Sequence, residues 1–284
     1  MRAEFQELWK YRELLFAMVE RELRIRYKNS VLGFLWSLLN PLITVAVMTI
    51  VFKYLMGNTT PNFAAYVLAA YLPYMFFQLG ILDCAQSVLG ALPVVRKVYF
   101  PREILPLASI MANFVHLALA ILVYFVFLLA VWLRHPGDCP YTWNVLWLPA
   151  LLVIQFCMVA GFGFIVSALN TFYEDVKYMV GVLLWVLFFL CPIMYFSENV
   201  YYQRSPQIYQ LYRFNPIGTL IDTYRKVMVK PGEVEVRVGT NVTKMAAFTF
   251  QPLTILWLAL FSFAVLVLGY HVFNRMKWRF VERP

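Results

Sequence analysis

The run ILPLASIMANFVHLALAILVYFVFLLAVWL, residues 104–133, decides the fold class of this chain. It contains no Asp, Glu, Lys or Arg, and about 20 predominantly apolar residues suffice to cross the ~30 Å hydrocarbon layer of a bilayer. Because lipid offers no partners to backbone N–H and C=O groups, a spanning segment is either a helix or part of a closed barrel. The run lacks the alternation of apolar and polar residues that barrel strands show, so it predicts a transmembrane helix.

Other parts of the chain repeat this pattern. Of the 284 residues, 62% are hydrophobic and 14% are charged, whereas soluble domains carry about 25% charged residues. We therefore predict an all-α integral membrane protein. Six transmembrane helices are predicted, at residues 33–52, 63–89, 104–133, 145–169, 178–196 and 252–273.

Basic residues cluster in three segments that flank the predicted spans. The formal net charge is +9, and Lys and Arg are concentrated in residues 1–32, in the turn 91–103 and in the tail 274–284. Because cytoplasmic loops accumulate Lys and Arg, these segments are predicted to be cytoplasmic, so both termini lie on that side of the membrane. This rule explains the positive charge without nucleic-acid binding. Residues 33–273 then form a multi-pass domain, whose segment 197–251 lies in the periplasm.

The N-terminal segment, residues 5–27, is too charged to cross a bilayer, but its apolar residues alternate with charged ones. This pattern predicts an amphipathic helix at the membrane interface, anchored by Trp9 and Tyr11, with its basic residues toward lipid headgroups. A solvated helix packed on a cytosolic partner is the alternative, and both descriptions can hold together. The chain does not open with a signal peptide, so the first apolar run is expected to be retained.

The long segment 197–251 is predicted to contain short helices and a strand. Asn215 followed by Pro216 is typical of a helix N-cap and first helical residue, and apolar residues recur after them at helical spacing. Such a helix can dip back into the outer leaflet. Residues 233–238 alternate charged residues with valine, which predicts one strand of a small hairpin.

Few groups offer chemistry inside the membrane. Asp83 and His116 are the ionisable candidates of spans two and three. A charge in hydrocarbon costs ~2.5 kcal/mol or more, so Asp83 must face protein, water or a partner. A proton relay normally needs a chain of such groups, and helix packing or an aqueous cavity is the simpler role for both. Gly161 and Gly163 in span four predict a close helix contact, and the four cysteines have neither disulfide nor zinc spacing.

No nucleotide-binding loop of the form G-x-x-x-x-G-K-[ST] occurs in the sequence. We therefore expect no enzyme activity and no cofactor in this chain, with ATP and Mg²⁺ bound by a separate ATPase if transport uses ATP. Aromatic residues make up 18% of the chain, and several tyrosines follow span five. Interfacial belts explain most aromatic residues, but aromatic rings also stack on the apolar faces of sugars. Both interpretations of the tyrosines stay open.

Four stretches carry a family resemblance when they are taken in order. They are RELRIRYKNSVLGFLWSLLNPL (21–42), VRKVYFPREILPLA (95–108), NTFYEDVKYMVGVLLWVLFFLCPIMY (170–195) and FNPIGTLIDTYR (214–225). Together they resemble permeases of the ABC-2 type that export O-antigen, capsule or teichoic acid chains, and the resemblance covers nearly the whole chain. It implies a homodimer that works with two copies of a nucleotide-binding ATPase subunit.

The resemblance also implies roles for particular residues. The turn 91–103 corresponds to a coupling helix that docks on the ATPase, with candidate residues Arg96, Lys97, Val98, Tyr99, Phe100, Pro101, Arg102 and Glu103. The segment 197–230 corresponds to re-entrant helices of a periplasmic gate, with candidates Tyr201, Tyr202, Tyr209, Tyr212, Asn215 and Arg225. Spans one and five line the channel in such permeases, which gives Phe34, Trp36, Trp185, Phe188 and Tyr195 as candidates.

The expected mechanism is transport without bond chemistry in this chain. A lipid-diphosphate-linked glycan, most similar to O-antigen, would present its phosphates to Arg24, Arg26 and Lys28 near the membrane lipid headgroups. These cations can instead serve only the positive-inside bias. Alternatives are export of teichoic acid, capsule or another lipid or drug, and, in a different class, a membrane-embedded transferase or a proton-coupled carrier.

The sequence departs from the family pattern at three places. Glu174 and Asp175 stand where an Arg-Asp pair is common, Asp83 stands where a small polar residue is usual, and the hairpin 231–248 is long. These departures bear on the substrate and leave the class unchanged.

Overall fold

The computed structural model describes residues 6, 8–28, 35–57, 62–95, 97–134, 140–203, 206–230, 233–238 and 241–281. Within these ranges the fold is helical apart from one small hairpin. The first elements are α1 Arg12–Tyr27, α2 Leu35–Thr49 with a π-helical extension Ile50–Leu55, α3 Phe63–Ser87, α4 Leu92–Val95 and α5 Ile104–Arg134. They are followed by α6 Leu148–Phe172, α7 Val176–Leu190, α8 Ser197–Gln203, α9 Pro206–Arg213, α10 Pro216–Met228, β1 Glu233–Val238, β2 Asn241–Ala246 and α11 Leu253–Met276.

Five helical stretches of the described residues are long and apolar enough to cross a membrane. They are Leu35–Leu55, Phe63–Ala91, Ile104–Arg134, Trp143–Phe172 and Leu253–Phe280, at the predicted spans one to four and six. The predicted span 178–196 is instead the 15-residue apolar helix α7, about 22 Å long at ~1.5 Å per residue. α7 ends at Leu190 because Cys191 precedes Pro192 and adopts the extended conformation that a following proline favours.

The two ends of the helix bundle differ in character. At one end, here called the basic end, α1 packs against the start of α5. Lys277, directly after α11, donates a hydrogen bond of 2.5 Å to Glu103 at the same end. The opposite end, here called the hairpin end, carries α8, α9, α10 and the strands, and Tyr66 near the start of α3 donates a hydrogen bond to the carbonyl of Lys230 there. Helix α1 and the end of α11 therefore lie at the same end of the bundle.

The centre of the bundle is α3, which is buried along most of its length against α2, α5, α6, α7 and α10. The closest helix contact joins α6 to α11. A Cβ atom on Gly161 would lie 2.6 Å from backbone atoms of Val265, so only glycine permits this approach. The close packing predicted for Gly161 is thus confirmed.

Helices α2 and α7 each bury few of their side chains against the rest of the bundle. Val45 and Pro41 are the buried residues of α2, and Leu184 is the buried residue of α7. Most of their remaining apolar side chains, such as Trp36 and Trp185, are exposed. These two helices therefore present wide apolar surfaces outside the fold of one chain.

The segment between α7 and α11 folds much as its sequence predicts. The Oδ1 atom of Asn215 accepts hydrogen bonds from the N–H groups of Ile217 and Gly218 at 3.1 and 3.2 Å, which confirms the N-cap of α10. The predicted strand Glu233–Val238 is confirmed as well, and it pairs in antiparallel register with Asn241–Ala246. The apolar side of α10 is buried and contacts α3, which fixes this helix on the bundle.

Candidate functional sites at the two ends of the bundle

A polar cluster at the basic end joins three helices. The guanidinium of Arg26, in the last turn of α1, donates hydrogen bonds to the Asp83 carboxylate and, at 2.9 Å, to the side-chain oxygen of Asn113. Asn113 of α5 in turn donates to Asp83 of α3 at 2.8 Å. The intramembrane carboxylate therefore faces protein, as the cost of an unpaired charge in lipid requires.

A small cavity of about 110 Å³ lies beside this cluster, between α2, α3 and α5. Its polar lining comes from Arg26, Ser37, Asn40, Asn113 and His116. His116 thus borders a polar space next to Asp83, in keeping with the helix-packing or aqueous-cavity role expected for both residues.

The three basic residues predicted to hold lipid phosphate do not face one direction. Arg26 is bound to Asp83, whereas Arg24 and Lys28 are exposed and line a groove between α1 and α5. This groove, here called the basic-end groove, has a volume of about 750 Å³ and a wall of Leu23, Ile25, Val115 and Leu119. Arg24 also pairs with Glu20 one helical turn earlier at 2.5 Å. The groove therefore combines an apolar wall with two cations, one of them paired with the lining residue Glu20, and this combination suits an anionic amphiphile.

The turn before α5 separates into an exposed tip and a buried base. Lys97, Val98 and Tyr99 are exposed, whereas Phe100, Pro101 and Glu103 are buried. Glu103 pairs with Lys277, and the guanidinium of Arg102 lies 5.9 Å from the ring centroid of Phe280. The base of the turn is therefore fixed to the residues that follow α11, and the tip projects from this base. The candidate Arg96 lies outside the described residues.

The channel-lining candidates occupy different environments. Trp36 and Trp185 are exposed on the open surfaces of α2 and α7. Phe188 packs edge-on against Tyr74 of α3 at 5.4 Å, and the hydroxyl of Tyr195 shares a hydrogen bond of 3.2 Å with that of Tyr212. Phe34 lies outside the described residues.

At the hairpin end, Arg225 is the centre of a buried network. It donates hydrogen bonds to the carbonyls of Pro192 and Tyr195 at 3.3 and 3.0 Å, and to the Asp222 carboxylate at 2.6 Å. Its guanidinium also lies 4.8 Å from the ring centroid of Phe196. Arg225 therefore clamps α10 to the non-helical segment that follows α7.

Three residues outside the sequence-predicted set, Asp222, Lys226 and Glu198, complete this network. Lys226 binds the second oxygen of Asp222 at 2.6 Å, and Glu198 accepts a hydrogen bond of 2.8 Å from the N–H group of Phe248. Burial raises the pKa of Asp222, but Lys226 and Arg225 together outweigh it and hold the pKa below its ordinary value. The spacing of Asp222, Arg225 and Lys226, three and four residues apart, is the signal that predicts such pairs on one helix face.

The tyrosines predicted to form a gate fall into two groups. Tyr201, Tyr202 and Tyr209 surround Phe248, with ring centroids 5.5, 5.9 and 5.7 Å away. Tyr212 belongs to the other group, with Tyr195. Burial raises the pKa of Tyr209 to about 12, so its hydroxyl stays protonated and available as a donor at neutral pH.

Membrane-length helices whose polar networks gather at the two ends define an integral membrane protein of the helical class. The short apolar helix α7, the basic turn before α5 and the clamped α10 all fall within residues 13–229, which match the ABC-2 type transporter family, and the chain belongs to this family.

Relatives of the chain share most of its length. It is 25% identical over 271 residues to the O-antigen export system permease protein RfbA of Klebsiella pneumoniae, covering 95% of this chain and 94% of that protein. It is 29% identical over 222 residues to RfbA of Myxococcus xanthus, covering 78% and 82%. Its identity to the polysialic acid transport protein KpsM of Escherichia coli is 27% over 245 residues, covering 84% and 89%.

Proposed function

We propose that this chain is the permease subunit of an ATP-driven exporter that moves a lipid-linked polysaccharide, similar to O-antigen, across a bacterial inner membrane. The observation that carries this proposal is its membership of the ABC-2 family over residues 13–229, combined with relatives named for O-antigen export along nearly its full length. A capsule-type polysaccharide is the second candidate, because KpsM and the capsule polysaccharide export inner-membrane protein CtrC of Neisseria meningitidis are also relatives.

Energy for transport comes from a separate ATPase in this proposal. The sequence lacks a phosphate-binding loop of its own. The exposed tip Lys97–Tyr99 offers one cation and two apolar side chains on a turn braced from behind by the Glu103–Lys277 pair. Such a tip is suited to enter a cleft of an ATPase that binds ATP and Mg²⁺. Two copies of the ATPase would serve two copies of the permease.

Two copies of this chain form the channel. Support comes from α2 and α7, whose apolar side chains are mostly exposed. Each helix also exposes a tryptophan, Trp36 in α2 and Trp185 in α7, and aromatic rings can stack on a sugar polymer as it moves past. In a homodimer these surfaces face each other around the transport path. Phe188 and Tyr195 support the walls of the path through their contacts with Tyr74 and Tyr212.

The basic end lies in the cytoplasm in this proposal, and the hairpin end in the periplasm. The concentration of Lys and Arg near α1, in the turn before α5 and after α11 supports this orientation and two cytoplasmic termini. Arg24 and Lys28, beside the apolar wall of the basic-end groove, receive the phosphates of the lipid carrier. Arg26 acts differently, because it fixes α1 to Asp83 of α3.

The test is genetic and biochemical. Deletion of the gene should cause a lipid-linked glycan to accumulate inside the cell, and the identity of that glycan separates O-antigen from capsule, teichoic acid or another lipid. The purified permease should carry an ATPase subunit whose activity depends on Tyr99. A chain that purifies alone and moves substrate without ATP would point to a carrier. Loss of a sugar-transfer activity on deletion would point to a transferase.

A further inference from the structure

A groove at the hairpin end lies between the α9–α10 junction and the start of α11. It has a volume of about 420 Å³, and its lining includes Arg213, Phe214, Thr219, Gln251, Leu253 and Trp257. Of the described residues that line it, Arg213 is the one cation and none is a carboxylate. The described lining of this space, here called the hairpin-end groove, therefore carries a positive charge.

The N–H donors of the Arg213 guanidinium are not used by described residues. Its contact within the described part of the chain is a cation–π contact with Tyr209, 6.0 Å from the ring centroid, and it makes no hydrogen bond or ion pair with a described residue. The backbone at Arg213 is fixed, since its carbonyl accepts a hydrogen bond of 2.9 Å from the Thr219 hydroxyl. A planar fork of N–H donors on a fixed backbone is the arrangement that binds phosphate oxygens.

One wall of the groove is apolar and lies where a membrane span begins. Phe214 and Leu253 are exposed, Trp257 is partly exposed, and Leu253 is the first residue of α11. Tryptophan is enriched at the boundary between headgroups and hydrocarbon. The N-terminus of this long helix adds partial positive charge at the same level. A hydrocarbon chain can lie on this wall while its phosphate lies at Arg213.

A second cavity of about 190 Å³ adjoins the groove through lining residues that the two spaces share. The two spaces share Arg213, Thr219, Gln251 and Thr254. The lining of the second cavity also includes Tyr209, Thr223 and the Asp222–Lys226 ion pair. Hydroxyl groups that form hydrogen bonds and an aromatic ring that stacks are the groups that bind a sugar. Cavities for drug-sized ligands have volumes of about 300–1,000 Å³, so this smaller cavity suits a single sugar ring.

We infer that the hairpin-end groove binds the lipid phosphate and first sugar of a lipid-linked glycan as it enters the outer leaflet. The order of the lining, from apolar wall to Arg213 to the sugar-sized cavity, matches the order of hydrocarbon, phosphate and sugar in such a molecule. A bilayer phospholipid would use the wall and the cation but would leave the sugar cavity unused. The inference rests on the proposed function and on its orientation of the chain.

The test measures binding to the permease–ATPase complex in phosphatidylcholine nanodiscs without nucleotide. One probe is dansyl-labelled farnesyl diphosphate, and the other is the same compound with one hexose on the diphosphate. Because the basic-end groove can bind the same probes, every protein in the series carries Arg24→Gln and Lys28→Gln. Arg213→Gln should weaken binding of both probes about tenfold, the usual effect of losing a hydrogen bond to a charged group.

Two controls make the result specific. Arg134→Gln removes an exposed arginine at the end of α5, away from the groove, and should leave binding unchanged. Tyr209→Leu should remove the additional affinity of the hexose-bearing probe while sparing the plain diphosphate. Size-exclusion profiles and melting temperatures that match the parent complex show that the variants are folded.

Three outcomes would overturn the inference: parental affinity in Arg213→Gln, equal affinity of the parent for both probes, or displacement by phosphatidylglycerol as effective as by unlabelled farnesyl diphosphate. If any of these occurs while gene deletion still causes a lipid-linked glycan to accumulate, the groove assignment fails and the proposed function stands. If deletion causes no accumulation, the proposed function itself has failed, whatever the probes do.

Discussion

The guanidinium of Arg26 and the carboxylate of Asp83 form an ion pair between residues 57 positions apart, which ties α1 to α3. Their side chains are 28% and 37% exposed, whereas those of the Arg24–Glu20 pair on the same helix are 78% and 61% exposed. A pair that is partly shielded from solvent is more costly to break than a fully exposed one. The two pairs therefore make a matched comparison.

We predict that Asp83→Ala lowers the melting temperature of the purified permease by several degrees, because Arg26 and Asn113 lose their shared acceptor. Glu20→Ala should change the melting temperature by about two degrees or less, as expected for an exposed pair worth ~0.2–1 kcal/mol. Tryptophan fluorescence during heating provides the measurement. An equal shift in both variants would mean that the Arg26–Asp83 pair is not a structural tie.

The turn before α5 allows a second comparison between adjacent residues. Tyr99 is 72% exposed and Phe100 is 6% exposed. Tyr99→Ala should leave the melting temperature of the permease unchanged but lower the amount of ATPase that co-purifies. Phe100→Ala should cost about 3–5 kcal/mol of unfolding free energy, because it leaves a cavity in the core. Full ATPase recovery with Tyr99→Ala would exclude the tip as the docking surface.

The lowered pKa of Asp222 predicts a pH dependence. A carboxylate whose pKa is lower in the folded than in the unfolded state contributes stability that is fully present above the unfolded pKa of ~3.9. That contribution is lost as the pH falls through the folded-state pKa. At pH values below about 4, protonation of Asp222 should therefore lower the melting temperature of the wild type.

Replacement of Asp222 tests this contribution. At neutral pH, Asp222→Asn leaves Arg225 and Lys226 without their carboxylate and should cost about 3–5 kcal/mol. In the variant, the melting temperature should depend less on pH in the acid range. Asp175→Asn, at an exposed position, is the control and should retain the wild-type pH profile. An unchanged profile in Asp222→Asn would rule out the Asp222 contribution.

The contact between α6 and α11 predicts a steric effect. Gly161→Ala places a methyl group 2.6 Å from the backbone of Val265, so the two helices must separate, at a cost of about 1–3 kcal/mol. Gly90→Ala introduces the same methyl group where no heavy atom lies within 4 Å and should have little effect. Melting temperatures of the two variants, compared with the wild type, check this difference. A neutral Gly161→Ala would mean that the helices are not in contact at this point.

Local features of the sequence predict much of this fold. The long apolar runs correspond to membrane-length helices, and the Asn215 cap and the strand Glu233–Val238 depend on short-range chemistry that a sequence displays directly. The short α7 differs from the predicted span, although Pro192 carried the signal for its end. The apolar run continues past that proline, and hydrophobicity alone does not distinguish helix from a buried irregular segment.

The candidate sites were harder to predict because they depend on which way a helix face turns. Arg24, Arg26 and Lys28 look equivalent in sequence, yet Arg26 faces Asp83 and the other two face the basic-end groove. The pairing of Glu103 with Lys277 spans 174 residues and has no local signal. Asp222, Arg225 and Lys226 did have a local signal, because opposite charges three and four residues apart lie on one helix face. The apolar periodicity of the same helix is the stronger pattern in the sequence.

The close contact of α6 with α11 has a consequence for biosynthesis. Because a chain is synthesised from its N-terminus, Gly161 of α6 cannot contact Val265 until α11 has left the ribosome and inserted into the membrane. Lys277 and Phe280, which brace the turn before α5, emerge later still. The contacts that support the turn carrying Tyr99 therefore form only after residues 277–280 have been translated, so a product truncated before them lacks this support.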